Sequence, residues 1–144
     1  MSERENVTQD YIIQRINDWE DRITLLINNM CEWVTERPEW KVEKSSVIQR
    51  NEYLMKEYDV KPRKLPAINF YNKGERIYFL SSALWIVGAN GRINIVTNSK
   101  LYILVDRDGK DGAPSNWEYT ALDAKIKTKP FDKEAFLKIL DDEI

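Results

Sequence analysis

Short apolar runs separated by turn-forming residues fill the chain from Ala67 onward, and this alternation most limits the folds available to it. The runs are INFY, RIYFL, ALWIV, RINIV and LYILVD, and the segments between them are NKGE, GANGR, TNSK and DRDGKDG. β-branched and aromatic residues favour strands, whereas Gly, Asn and Asp favour tight turns. The pattern predicts an antiparallel β-meander of five to six strands over residues 66–128, with WEYTALDAKIK adding the last strand.

The stretch LWIVGANGRINIV predicts how neighbouring strands pair, because Asn90-Gly91 lies between two apolar runs. This dipeptide is typical of a two-residue type I′ hairpin turn, and its register would place Ile86 opposite Ile95. A second two-residue turn at Asn98-Ser99 would place Ile95 opposite Tyr102. We therefore expect consecutive strands joined by tight turns.

In these registers both faces of the sheet are apolar. An antiparallel sheet with one solvated face should alternate apolar and polar side chains, so both faces need a cover. The interpretation we favour is cover by the rest of the chain; the alternatives are a barrel-like curl or an interface with a second copy or a partner. One face carries Leu84, Ile86, Ile93, Ile95, Tyr102 and Leu104, and the other carries Trp85, Val87, Val96, Leu101, Ile103 and Val105.

Residues 8–36 predict a long helix, because their apolar side chains recur at alternating spacings of four and three, as in a heptad seam. Thr8 is a suitable N-cap, and Pro38 marks the end. We expect the helix to lie across the sheet; the alternative is that its seam, together with Trp85, forms an interface with a second copy or a partner. The interface candidates are Ile16, Trp19, Ile23, Leu26, Met30, Trp33 and Trp85.

The predicted fold is α+β, in a single domain over residues 1–144: the long helix, the meander and a short C-terminal helix at 131–141. Asp132 is the expected N-cap of that last helix, with Phe131 and Phe136 as a hydrophobic staple. Residues 40–65 connect the long helix to the meander, and their periodicity fits either strand or helix.

Composition limits the chemistry. The chain has no histidine and a single cysteine, Cys31, which removes the commonest general base, an internal disulfide and a structural zinc site. No apolar run approaches the ~20 residues that span a bilayer, and the polar start MSERENVTQD lacks the apolar core of a signal peptide. These features predict a cytoplasmic protein that needs no cofactor and does not enter a membrane.

A basic segment offers a second hypothesis. Residues 41–76 carry 9 basic and 5 acidic side chains, next to an N-terminal segment with 4 basic and 9 acidic ones. Tyrosine and phenylalanine are interleaved with the basic residues, and such a surface can follow phosphates and stack bases. The nucleic-acid-binding candidates are Lys61, Arg63, Lys64 and Arg76.

Acidic residues near DRDGKDG offer a third hypothesis. The segment does not fit the EF-hand pattern, because the sixth position from Asp106 is Asp111 and not glycine. Asp106, Asp108 and Glu118 are candidates for a looser Mg²⁺ site, as in a metal-dependent nuclease. A solvated turn rich in Asp and Gly explains the same residues without any metal.

The sequence contains no coherent catalytic constellation and has more apolar surface than a small domain readily hides. We therefore predict a non-catalytic binding or adaptor protein, regulatory or immunity-type, that acts through contacts with a protein partner or as a homodimer. Nucleic-acid binding through residues 41–76 is the alternative, and a Mg²⁺-dependent carboxylate enzyme is the third hypothesis.

Overall fold

A computed structural model describes residues 8–122 and 127–142 and confirms the predicted α+β architecture. In these ranges the sheet has seven strands, more than expected, and each strand pairs antiparallel with the next one in sequence. The predicted sixth strand is present as far as Ala121, and residues 123–126 lie outside the described part. The elements are α1 (Gln9–Trp33), β1 (Lys41–Ile48), α2 (Tyr53–Glu57), β2 (Lys64–Asn72), β3 (Glu75–Ala83), β4 (Arg92–Thr97), β5 (Leu101–Asp106), β6 (Trp117–Ala121), β7 (Lys129–Pro130) and α3 (Lys133–Asp142).

Helix α1 begins at the predicted cap, where the Thr8 hydroxyl accepts a hydrogen bond from the Tyr11 N–H at 3.1 Å. Its apolar seam lies on the sheet, and the first six seam residues are buried in the core of their own chain. This is the packing that we favoured from the sequence, and it encloses five of the interface candidates within their own chain. These five are Ile16, Trp19, Ile23, Leu26 and Met30.

The C-terminal helix α3 packs on the same face of the sheet as α1. Its N-cap is confirmed, because Asp132 accepts from the Ala135 N–H at 2.9 Å. The Phe136 ring lies 5.1 Å from the Phe70 ring, and the half-buried Trp33 ring lies 5.9 Å from Phe136. Trp33, the last residue of the seam, thus joins α1 to α3 within the chain. We call the helix-covered side of the sheet the inner face.

The segment 40–65, which the sequence left open, contains both kinds of structure. Its first part is β1, the terminal strand of the sheet, and its second part contains the short helix α2, whose Met55 is buried in the core. The Gln9 side chain of α1 donates to the Tyr58 carbonyl at 3.2 Å. This contact places the α2 segment beside the start of α1.

The predicted hairpin turn at Asn90-Gly91 is wrong, whereas the one at Asn98-Ser99 is confirmed. β3 ends at Ala83 and pairs directly with β4, so residues 84–91 form a loop outside the strands and Ile95 faces Phe79 rather than Ile86. The end of this loop bonds to β5 instead: the Asn90 N–H donates to the Asp106 carbonyl at 2.7 Å. Beyond Asn98-Ser99, Ile95 pairs with Tyr102 as expected.

Candidate interaction surface

The sheet has an outer face, opposite α1 and α3, on which apolar side chains are accessible. Direct cross-strand partners share a face, and the registers place Tyr78 opposite Val96 and Val96 opposite Leu101. Val96 is 41% exposed and the others are half-buried, in contrast to the enclosed inner residue Ile95. We call these residues the outer patch: Tyr78, Leu80, Val96, Leu101, Ile103 and Val105.

Polar side chains on the same face hold fixed positions around the outer patch. The Arg76 guanidinium lies 5.3 Å from the Tyr71 ring and 5.8 Å from the Tyr78 ring, and its Nε donates to Asn69 at 2.9 Å. Near Val105, at the opposite end of the outer patch, Arg92 Nε donates to Asn94 Oδ1 at 3.1 Å. The patch therefore has an apolar centre and cations that are already held against the sheet.

Trp85, the remaining interface candidate, lies in the 84–91 loop and is half-buried against the core. Glu52, just before α2, anchors this loop: its carboxylate accepts from the Leu84 N–H at 2.9 Å and the Trp85 N–H at 3.0 Å. Burial raises the pKa of Glu52, and the two backbone hydrogen bonds and Arg50 only partly oppose this effect. Sequence reasoning missed Glu52, because a lone glutamate before a short helix gives no signal of a distant backbone partner.

The structure does not unite the four nucleic-acid-binding candidates. Lys61, Arg63 and Lys64 lie together, but Arg63 is bound by α1: its guanidinium lies 3.8 Å from Glu20 and donates to Asn17. Arg76 lies on the outer face beside Tyr71, which is seven residues along β2 from Lys64, or about 23 Å at the rise of a strand. The acidic N-terminal helix thus neutralises part of the basic segment.

The metal-site candidates also have other partners. Asp106 is fully buried, and its Oδ2 lies 2.9 Å from Arg22 of α1, while its Oδ1 accepts from the N–H groups of Gly109 and Asn116, each at 2.9 Å. Asp108 accepts from the Asn116 side chain at 2.9 Å. Among the described residues, no group of three or more Cys, Asp and Glu could hold a metal ion.

The third metal-site candidate, Glu118, is also engaged by protein groups. Its carboxylate lies 3.6 Å from Arg107 and accepts a hydrogen bond from Thr128. Asp106, Asp108 and Glu118 are therefore all engaged by protein groups, and their carboxylates hold loops and strands in place.

Arg22 is the partner that sequence reasoning missed at this site. It bridges Asp18 on its own helix at 3.0 Å and Asp106 at 2.9 Å, and it is almost fully buried. Arg15, one heptad earlier, is buried as well and lies 4.0 Å from Asp18. Two arginines seven residues apart beside an apolar seam are the signal that could have indicated a buried ionic contact between helix and sheet.

Comparisons with models of protein families, with curated proteins and with solved structures found no match to this chain. Within the part of the chain that the structure describes, no helix is long and apolar enough to cross a membrane.

Proposed function

We propose that this chain is a non-catalytic protein-binding module that docks a protein partner of a different sequence on its outer patch. The observation that carries the proposal is the contrast between the two faces of one sheet. Ile95 on the inner face is fully buried, while its neighbour Val96 on the outer face is 41% exposed. Accessible apolar surface that extends over adjacent strands is typical of docking sites on soluble proteins.

The chemistry of the outer patch favours a folded protein as the partner. Three adjacent strands contribute an apolar centre, with Arg76 and Arg92 at its margin. Apolar centres with polar rims are typical of protein interfaces, and aromatic residues and arginine are enriched in them. Nucleic acid would require many free cations along one surface, and the two arginines here are already engaged with Asn69 and Asn94.

Site-specific photocrosslinking in the source cells tests this proposal. A benzophenone amino acid replaces Val96 in one version of the chain and Leu25 in the control, because Leu25 is 60% exposed on α1, away from the sheet. We expect the probe at position 96 to give a discrete adduct with another protein, and the probe at position 25 to give none.

A competition experiment makes the test specific to the patch. Adding Leu101→Lys to the chain that carries the probe at position 96 places a charge next to the probe, because Leu101 faces Val96. The adduct yield should fall at least about tenfold, since an unpaired buried charge costs more than 1.4 kcal/mol. Equal labelling at positions 96 and 25 would contradict the proposal, and an adduct of twice the chain's mass would assign the patch to self-association.

A further inference from the structure

We infer that the edge strand β1 pairs antiparallel with β1 of a second copy, about a two-fold axis that passes through Ser45. This inference does not depend on the proposed function, because the pairing uses the edge of the sheet and the partner uses its outer face. β1 is the terminal strand in the sheet order, and seven of its eight residues are exposed. Its second hydrogen-bonding edge is therefore available, as in other edge strands.

The backbone shows which residues of β1 point to this free edge. In an antiparallel ladder the hydrogen-bonding groups of alternate residues point to opposite sides. The Gln49 N–H donates to the Arg63 carbonyl at 2.8 Å, and this pair continues the register in which Ile48 lies opposite Lys64. Gln49 and Arg63 are therefore a hydrogen-bonded pair, and Ile48 and Lys64 are a non-hydrogen-bonded pair. The odd-numbered residues thus bond to β2. The even-numbered ones, Val42, Lys44, Ser46 and Ile48, direct their N–H and C=O groups to the free edge.

Symmetry then limits the possible registers. A two-fold axis that relates antiparallel strands is normal to the sheet, so both copies keep their helices on the same side and paired residues must face the same way. Odd-numbered residues therefore pair with odd, and even with even. Two such registers pair seven residues of β1: residues 41–47 centred on Lys44, and residues 42–48 centred on Ser45.

Charge and hydrogen bonding select the register centred on Ser45. Centring on Lys44 places two lysines directly opposite each other, which is destabilising. It also gives three pairs that exchange hydrogen bonds, or about six bonds, whereas centring on Ser45 gives four pairs and about eight bonds. In the Ser45 register, Lys44 faces Ser46 of the second copy and Glu43 faces Val47 of the second copy.

The same register explains two exposed apolar side chains. Val42 is 40% exposed and Ile48 is 70% exposed, although they share one face of a strand. With the axis at Ser45, Val42 of each copy faces Ile48 of the other, so two apolar pairs close over the junction. The two sheets become continuous, and because the axis is normal to the sheet, both outer patches lie on the same side.

Sedimentation equilibrium tests this pairing by measuring the mass of the protein in solution at concentrations from about 1 µM to 1 mM. Ser46→Pro is the test variant. Proline removes an N–H that points to the free edge and leaves the bonds to β2 intact, as edge strands tolerate. We expect the wild type and the Ser46→Thr control to dimerise, and Ser46→Pro to remain a monomer with unchanged circular dichroism. A wild-type monomer throughout, or a dimer that survives in folded Ser46→Pro, would overturn the inference.

Disulfide trapping tests the register and does not depend on proline. In a Cys31→Ala background, Ser45→Cys places two thiols across the axis, at a Cα separation of about 4.5 Å that a disulfide can span. Ser46→Cys is the matched control, because its two copies are diagonal neighbours about 7–8 Å apart. Mild oxidation should give a covalent dimer of Ser45→Cys at least about tenfold faster. Equal rates, or faster trapping of Ser46→Cys, would refute the axis at Ser45.

Discussion

Asp106 is a charged residue with no exposed surface, and its surroundings explain how the core accommodates it. Burial alone raises the pKa of Asp106, but hydrogen bonds from Ser115, Asn116, Gly109 and Arg22 together outweigh that effect, and the pKa is lowered. The carboxylate therefore remains ionised in the folded protein and joins β5 to α1 through Arg22. This role accounts for the aspartate without any metal.

Replacing Asp106 by asparagine should destabilise the fold. Asp106→Asn leaves the buried Arg22 without its charged partner on β5, and breaking a buried ion pair from one side typically costs about 3–5 kcal/mol. Asp18 still contacts Arg22, so we expect a loss near about 3 kcal/mol in the free energy of unfolding, measured by urea denaturation at pH 7. Asp108→Asn is the control: Asp108 is exposed, so its hydrogen bond with Asn116 should contribute less than about 1 kcal/mol.

The wild type and Asp106→Asn also test the direction of the pKa shift of Asp106. Because the pKa of Asp106 is lower in the folded than in the unfolded chain, the unfolded state takes up the proton first on acidification. The stabilising contribution of Asp106 is thus present above an unfolded pKa of about 3.9 and is lost as pH falls through the folded pKa. The stability gap between wild type and Asp106→Asn should shrink below about pH 4, and a gap that widens there would contradict the assignment.

Gly91 is required by a close contact. Its φ is +142°, and an added Cβ would lie 2.4 Å from the Trp19 ring, which is enclosed in the core and cannot withdraw easily. Gly74, at φ +91°, has no heavy atom within 4 Å of the same position. Gly91→Ala should therefore reduce the free energy of unfolding by about 1–3 kcal/mol more than Gly74→Ala, which carries backbone strain alone. Equal losses would mean that the contact with Trp19 is unimportant.

At the scale of elements, α1 is a core helix whose two leucines at 25 and 26 have opposite environments. Leu26 is 2% exposed, and Leu25 is 60% exposed. We expect Leu26→Ala to cost about 2–5 kcal/mol in chemical denaturation, the range for a buried leucine, and Leu25→Ala less than about 0.5 kcal/mol. Similar losses at both positions would contradict the packing of the seam on the sheet.

The predictable elements were those with strong local signals. The seam of α1, the Asp132 cap and the Asn98-Ser99 turn follow from spacing and turn chemistry alone. Residues 84–91 could not be predicted in the same way, because long-range partners determine their path. Glu52 binds the start of this loop, and the Asp106 backbone binds its end, so two distant segments override the local preference of Asn90-Gly91.

At the scale of the whole molecule, α1 and α3 both pack on the inner face of the sheet, and the apolar side chains of the outer patch remain accessible. In β4 and β5 apolar side chains lie on both faces as expected, whereas residues 84–87 lie outside the strands, and the sequence did not indicate which face the chain would cover. That choice depends on the side of the sheet to which α1 and α3 cross, which follows from packing contacts such as Phe136 against Phe70.

Adjacent residues of β4 test this arrangement in the isolated protein. Ile95 is fully buried under the helices, so Ile95→Ala should lower the free energy of unfolding by about 2–5 kcal/mol. Val96 points to the outer face and is 41% exposed, so Val96→Ala should cost less than about 1 kcal/mol. Both values are to be measured by urea denaturation, in which the slope of the unfolding free energy against urea concentration should stay unchanged. If Val96→Ala proved as costly as Ile95→Ala, the outer face would be covered in the free chain, and the surface on which the proposed function rests would not exist.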